Sequence, residues 1–303
     1  MDYVPSCKNI ILFGCIICLS INSRLLANHM SLKRAIQQKA ISVNAVSLGG
    51  YLGSKNIKLN LTNNTAKEIT VDIDPALIFV PEDTLYQDLV LLGNETIVLA
   101  PSAQQDVSLQ AFCGKSYARG PRSGLRYSFK KQGDTNMVKT LTYIKENNID
   151  VHLAQCAVWT FTNGHCLSTV YSHDKIRMSE DLIKYIASIR KLRVPEYYME
   201  YQLDNTAGRP VLAYGKEKVY VTMHWGIDDG YRHMHLTIYK ENGEIYKTIG
   251  ADQVIDKYGY TVTVRFDPKV DPKGLYSVTL HDDAGKVWDK KKVIIGANAC
   301  DLF

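Results

Sequence analysis

The sequence predicts a mainly β protein in which two β-sandwiches of immunoglobulin-like size flank a small module of three short helices. Three observations predict it. Apolar and polar residues alternate between Ile41 and Lys131; the period lengthens to a helical one from Asp134 to about Val194; alternation returns from about Val211. The expected boundaries are a signal peptide over 1–27, an N-terminal sandwich over 28–131, a helical module over 132–205 and a C-terminal sandwich over 206–303.

The chain opens with Lys8 followed by an apolar run from Ile10 to Ile21. One positive residue before a short apolar segment is the pattern of an export signal, and the run is too short for a comfortable membrane span. Cleavage is expected between Ser23 and Met30, near Ala27. A lipoprotein signal with Cys15 acylated is a second option, opposed by Phe13 and the brevity of the run before the cysteine. No second run approaches membrane length, so no transmembrane segment is expected after signal removal, and the location expected is exported: periplasmic, cell surface or secreted.

In the N-terminal sandwich, Ile57, Leu59 and Leu61 alternate with Lys58 and Asn60, and the segment ends in an Asn-rich turn. "EITVDID" repeats the pattern and stops before Pro75. "ALIFVPED", "QDLVLLGNETIVLAP" and "QDVSLQAFCG" continue it. In the last of these Val107, Leu109, Ala111 and Cys113 share a face, so Cys113 is expected to point inward at a strand end, with Gly114 at the turn.

In the helical module Asp134 is the expected cap of a helix striped by Met137, Val138, Leu141 and Ile144. Asp150 caps a second, whose buried face is Val151, Ala154, Ala157, Val158 and Phe161, and Asn163-Gly164 stops it. A third is expected after Ser179, striped by Leu182, Ile183, Ile186 and Ile189, and ended by Pro195. Beyond Val211, the turns Asp229-Gly230, Asn242-Gly243 and Ala284-Gly285 divide the chain into hairpins.

Composition narrows the function classes. The 303 residues are 46% hydrophobic and 22% charged, with a net charge of +5, which fits a chain that buries ordinary cores. The densest basic run, Lys290 to Lys292, follows a turn and reads as an exposed strand edge, so no nucleic-acid partner is expected. Tyrosines number 19 against 7 phenylalanines, a bias that suits half-exposed strands and polar contact surfaces to protein or surface glycan. No phosphate loop, dinucleotide fingerprint, zinc-protease helix or nucleophile elbow is present, and no cofactor is expected. "NLT", "NNT" and "NET" match glycosylation sequons, which a bacterial origin would make incidental.

Two constellations carry possible chemistry. The first pairs Cys113 with Gln155, at the edge of the second helix's buried stripe. A thiol and a carboxamide held together can condense with loss of ammonia to a thioester, an electrophile that acylates amines. The alternative is a glutamine hydrogen-bonded at a helix–sheet boundary. The second constellation is histidine. If "VYVTMHW" and "RHMHLTIY" form one hairpin turning at Asp228-Asp229, His224 faces His233 with His235 diagonal, a possible zinc or copper site or else a solvated strand face. A cysteine protease using Cys113 with His152 or His165 is a further option. Cys7, Cys15 and Cys18 leave with the signal; Cys113, Cys156, Cys166 and Cys300 remain, and spacing does not choose among their pairings.

"AQCAVWTFTNG" resembles the glutamine motif of bacterial surface thioester domains: Gln155 falls on its glutamine, Ala157 on its alanine and Trp159 on its tryptophan. Phe112-Cys113 is similar to that family's reactive cysteine after an aromatic residue. The resemblance spans about residues 105–170 and implies a thioester between Cys113 and Gln155, supported by Ala157 and Trp159. Ala154 stands where threonine is usual, and the 41 residues between Cys113 and Gln155 are fewer than the family has. "DPKGLYSVTLHDDAGKVWDKKKVII" resembles the end of immunoglobulin-like domains in flagellar hook-capping proteins and type nine secretion sorting domains, although "GANACDLF" runs past a sorting domain's last strand. Together these imply a non-catalytic binding or assembly protein at a bacterial envelope, with a covalent adhesin and a metal-binding protein as the alternatives.

Overall fold

The structure, a computed structural model, describes residues 29–50, 54–203, 212–224, 234–250 and 261–296. The signal segment with Cys15, the residue His233 and the turn at Asp229-Gly230 lie outside the described residues.

The N-terminal unit carries β1 (His29–Ser31), helix α1 (Leu32–Gln37), β2 (Ile41–Ser47), β3 (Lys55–Asn63), β4 (Ile69–Ile73), β5 (Leu77–Pro81), β6 (Leu89–Leu91), β7 (Glu95–Leu99), β8 (Gln104–Cys113) and β9 (Arg126–Gln132). Six of these close into a barrel in the order β2-β3-β8-β6-β5-β9, and β1-β4-β7 form a short separate sheet. The expected sandwich is therefore a barrel with a side sheet. Closure depends on β9, which pairs with β2 through Ala45↔Tyr127 and with β5 through Phe79↔Phe129. Alternation reports which face is buried and is the same for an open or a closed sheet. Leu59, Leu61, Phe79, Leu91 and Leu109 fill the barrel, while Val71 and Ile97 join them from the side sheet.

Strands β5, β6 and β8 are apolar on both faces. Leu77, Phe79, Leu89, Leu91 and Ala111 point into the barrel core, whereas Ile78, Val90 and Phe112 point into a second core shared with the helices. That is why "ALIFVP" and "LVLL" read as continuous apolar runs.

Helix α2 (Thr135–Glu146) is capped by Asp134, whose side chain accepts from Met137 N–H, and helix α3 (Val151–Thr162) by Asp150, which accepts from His152 and Leu153 N–H. Two 3₁₀ turns follow, Leu167–Thr169 and His173–Lys175, then α4 (Ile176–Arg190). Helix α4 starts before Ser179 because that hydroxyl points inward and donates to Lys175 O at 2.8 Å, a mid-helix back-bond. It ends before Pro195 because Lys191 takes the left-handed conformation, φ 55°. With α1, capped by Ser31, the described residues hold four α-helices where three were expected. Helix α1 is too short for periodicity to announce.

The C-terminal unit has β10 (Tyr198–Leu203), β11 (Leu212–His224), β12 (Met234–Lys240), β13 (Ile245–Ile249), β14 (Thr261–Phe266), β15 (Gly274–Asp282) and β16 (Val287–Ile295). The sheets are β10-β11-β14 and β13-β12-β15-β16, and a single core joins Val221, Met223 and Phe266 of one with Leu236, Val278 and Val293 of the other. Since β10 pairs with β11, the first strand of this unit lies within the segment assigned to the helical module. The Asn242-Gly243 and Ala284-Gly285 turns connect β12 to β13 and β15 to β16, both with positive-φ glycines.

The outer face of β10-β11-β14 meets the helices rather than water. The Tyr171 ring stacks on Tyr198 at 4.6 Å and His173 on Tyr220 at 4.9 Å. Tyr220 and Thr222, placed on an outward face by alternation, are consequently buried.

Candidate functional site: the Cys113–Gln155 junction

Strand β8 outlasts its neighbour on one edge. Strand β3 ends its regular pairing at Ile57↔Leu109, with a register shift before Lys55. The backbone groups of residues 111–118 then need partners from elsewhere. Side-chain carboxamides supply them. Asn56 Nδ2 donates to Ala111 O at 2.8 Å, and its Oδ1 accepts from Ala111 N–H at 2.9 Å. Two residues on, Gln155 Nε2 donates to Cys113 O and its Oε1 accepts from Cys113 N–H, both at 2.8 Å. Asn163 repeats the arrangement, donating to Gly114 O and accepting from Ser116 N–H. Gln87 completes it, donating to Ala118 O and accepting from Lys115 N–H. Each amide presents one donor and one acceptor at the spacing of a peptide group, so each stands in for a strand residue.

The structure thus brings Cys113 and Gln155 together, from the end of β8 and the middle of α3. Gln155 is wholly buried. Cys113 and Cys156 are free and buried, and burial pushes each thiol up to about 12. A thiol primed for attack has its pKa lowered by a neighbouring cation or helix N-terminus, the opposite of what surrounds Cys113. Of the two candidate bases for a protease reading, His165 Nε2 sits 3.0 Å from Ser116 Oγ, and burial lowers its pKa. His152 has its N–H-bearing helix turn capped by Asp150, its pKa is also lowered by burial, and its Nε2 has no hydrogen-bond partner among the described residues. Neither imidazole has a hydrogen bond to Cys113 among the described residues, so the protease arrangement is not formed. Ala157 and Trp159 are fully buried in α3, Ala157 in the core shared with the barrel.

The histidine hairpin is corrected. Strand β11 pairs with β10 and β14, and β12 with β13 and β15, so His224 and His235 lie on different sheets. His224 Nε2 is 2.9 Å from Glu180 Oε1 of helix α4, and His235 pairs with Asp283. A long connection between two apolar strands permits either a hairpin or a crossing to the facing sheet, and alternation does not distinguish them. Among the described residues no group of three metal-ligating side chains converges.

The sequence reading singled out Gln155 and missed Asn56, Gln87 and Asn163. The Asn163-Gly164 pattern marks Asn163 only as a helix stop. A signal was available: asparagine and glutamine inside otherwise apolar stretches have to satisfy both ends of an amide when buried.

Past Cys113, the chain held by these amides lines a groove of about 360 Å³ between barrel and helices. Asp88, Lys115, Tyr117, Lys130, Lys131 and Gln132 face it. Lys115 Nζ lies 2.8 Å from Asp88 Oδ1, and Tyr117 is 70% exposed.

No family model matches the chain, and no curated protein matches it. Among solved structures, the chain is similar to CBM51-2, solved in complex with GlcNAc together with INT domains, from Clostridium perfringens ZmpB. The identity is 9%, covering 82% of this chain and 78% of that one, with a TM-score of 0.17. At that score the likeness carries no argument. Within the described residues, no helix is long and apolar enough to cross a membrane.

Proposed function

We propose that the chain is an exported, non-catalytic binding or assembly protein of a bacterial envelope or surface. The observation that carries this reading is the groove beside Gly114. Its wall from Lys115 to Ala118 is a loop, yet Gln87 and Asn163 tie its backbone as tightly as a strand. A preorganised loop with an exposed tyrosine and paired charges loses little freedom when a ligand arrives. Tyr117 offers a flat amphipathic ring, and the surrounding lysines, aspartate and glutamine offer donors and acceptors, which suits a polar surface glycan. The two facing C-terminal sheets support an immunoglobulin-like adaptor that displays the rest. The test is binding of the mature protein to peptidoglycan sacculi and purified surface polysaccharides by pull-down and calorimetry. Tyr117→Ala and Lys131→Ala, with folding checked by circular dichroism, are expected to weaken binding about tenfold each. Unaltered binding in both variants would remove the groove from the reading.

The adjacency of Cys113 and Gln155 favours a second reading, covalent adhesion. The Cys113 sulfur would attack the Gln155 carboxamide carbon, the C–N bond would break, and the nitrogen would leave as ammonia with the thiol proton. Cys113 N–H already donates to the Gln155 carbonyl oxygen, which polarises it toward attack. The reaction would remove the Nε2 donor from Cys113 O, a cost the resting amide avoids. Intact mass decides: a deficit of one ammonia, lost on methylamine treatment and absent in Cys113→Ala, supports the thioester, and full mass leaves the binding reading alone.

A further inference from the structure

Strand β9 carries a bulge near its end. Its pairing with β5 runs Phe79↔Phe129 and then Ile78↔Lys131, so Lys130 is the extra residue. A bulge of this kind breaks the alternation of side chains and re-aims one of them. Lys130 and Lys131 are consecutive, yet both are exposed and both line the groove beside Gly114. Strict alternation would have sent one of them to the opposite face.

Internal partners account for most of the groove's other polar groups. The Lys115 ammonium lies 2.8 Å from Asp88 Oδ1. Asp134 accepts from Met137 N–H at 2.8 Å as the cap of α2. Gln132 Nε2 donates to Pro75 O, and the Asn163 amide is committed at both ends to the loop. The ammonium groups of Lys130 and Lys131, by contrast, have no hydrogen bond or ion pair among the described residues. Two cations held side by side repel each other, and an incoming anion relieves that cost.

The groove also spans several strands. Ile78 of β5 and Val90 of β6 line it, and these are the two strands that separate β8 from β9 in the barrel. The lysine pair stands on β9, and Tyr117 stands on the loop after β8. Three interstrand steps lie between them, roughly 14 Å along the sheet. That span exceeds one sugar ring, so the aromatic face and the charges reach different units of one extended chain.

We propose that the groove takes an extended acidic glycan, with one unit lying on the Tyr117 ring while the anionic group of another unit meets Lys130 and Lys131. The inference rests on the groove reading given above and narrows it from a polar glycan to a polyanionic one. A lysine ammonium is a point charge, so the shared chemistry is an anion on a sugar polymer, either a uronic carboxylate or a phosphodiester.

The test is calorimetry of the protein with three polymers: polygalacturonate, its carboxyl-reduced neutral form, and a poly(glycerol phosphate) teichoic acid. At low salt at least one polyanion is expected to bind about tenfold more tightly than the neutral polymer, and the preference should shrink at about 0.5 M salt. Tighter binding of the teichoic acid assigns the phosphodiester, and tighter binding of polygalacturonate assigns the carboxylate. Lys130→Gln with Lys131→Gln, folding checked by circular dichroism, is expected to abolish the preference, and Lys130→Arg with Lys131→Arg to retain it. Free galacturonate is expected to bind at least about tenfold more weakly than its polymer, and equal binding per site would overturn the extended chain. Polyanions no tighter than the neutral polymer would overturn the charge preference, while Tyr117→Ala still weakening the neutral binding would leave the groove reading standing. Binding of none of the polymers, or binding indifferent to Tyr117→Ala, would remove the groove and this inference with it. A preference that survives the double glutamine variant would place the acidic site elsewhere on the chain.

Discussion

Glu180 of α4 and His224 of β11 face each other across the joint between the helices and the C-terminal sandwich, Oε1 2.9 Å from Nε2. Glu180 is mostly buried, and Lys184 lies 4.0 Å away on the same helix. Burial pushes the Glu180 carboxyl up, but the hydrogen bond and charge of His224, with Lys184 and Lys291, outweigh it and leave the group below its ordinary 4.5.

A carboxylate with a lowered folded pKa adds stability that is present above its unfolded pKa and is lost as pH falls through the folded one. The pair should therefore support the joint at neutral pH and fail below about pH 4.5. Glu180→Gln is expected to cost about 0.5–1 kcal/mol at pH 7, discounted because His224 is half exposed. It should also flatten the acid limb of a stability–pH curve measured by urea unfolding. Parallel acid limbs in variant and wild type would show that the pair contributes nothing.

His152 sets a second, higher window. Burial lowers its pKa below the ordinary 6.5, against the opposing charges of Asp150 and Glu200. A histidine held neutral in the fold lets the unfolded chain take up the proton first, so stability is complete above pH 6.5 and declines as pH falls below it. His152→Gln should remove that part of the decline, read by thermal unfolding from pH 7.5 to 5.

Gln155 makes two hydrogen bonds to Cys113, not one. Gln155→Ala leaves a buried N–H and a buried C=O without partners and is expected to cost about 2–4 kcal/mol. Gln155→Glu should cost at least as much, since a carboxylate has no donor for Cys113 O and is buried without a cation. Urea unfolding measures both. A cost below about 0.5 kcal/mol for Gln155→Ala would mean water replaces the amide.

The pairing of Cys113 with Gln155 was legible because both residue types stood out from an apolar background. The caps Asp134 and Asp150, the stripes of α2 and α3 and the two glycine turns of the C-terminal unit were legible because their signals are local. Barrel closure through β9 was not, because it depends on which edges meet. Tyr220 and Thr222 alternate with the core residues of β11 and so carry an exposed-face pattern, although a neighbouring module buries them. The same holds for His224, whose partner Glu180 lies on another unit.

With their pKa values pushed up by burial to about 12, Cys113 and Cys156 are protonated at neutral pH and closed to solvent. Neither is expected to react with iodoacetamide or a chromogenic disulfide in the folded protein, and both should react at once in denaturant. Fast labelling of Cys113 in the native state would mean that the end of β8 opens locally.

Trp159 gives the most direct test of the α3 assignment. The helix has 12 residues, too few to hold by propensity, so burial must anchor it. Trp159 is fully buried, its ring 5.5 Å from that of His165, and its Nε1 has no hydrogen-bond partner among the described residues. Trp159→Ala is therefore expected to cost about 3–5 kcal/mol, the usual loss on emptying an aromatic core site. Trp159→Phe keeps much of the volume and removes an orphaned donor, so it should cost clearly less. Urea unfolding of the two variants separates the contributions: a large gap between them assigns the energy to packing. Equal costs would mean that the indole N–H has a partner, such as a buried water. A near-neutral Trp159→Ala would place the ring at a contact surface and reverse the assignment of α3 to the core.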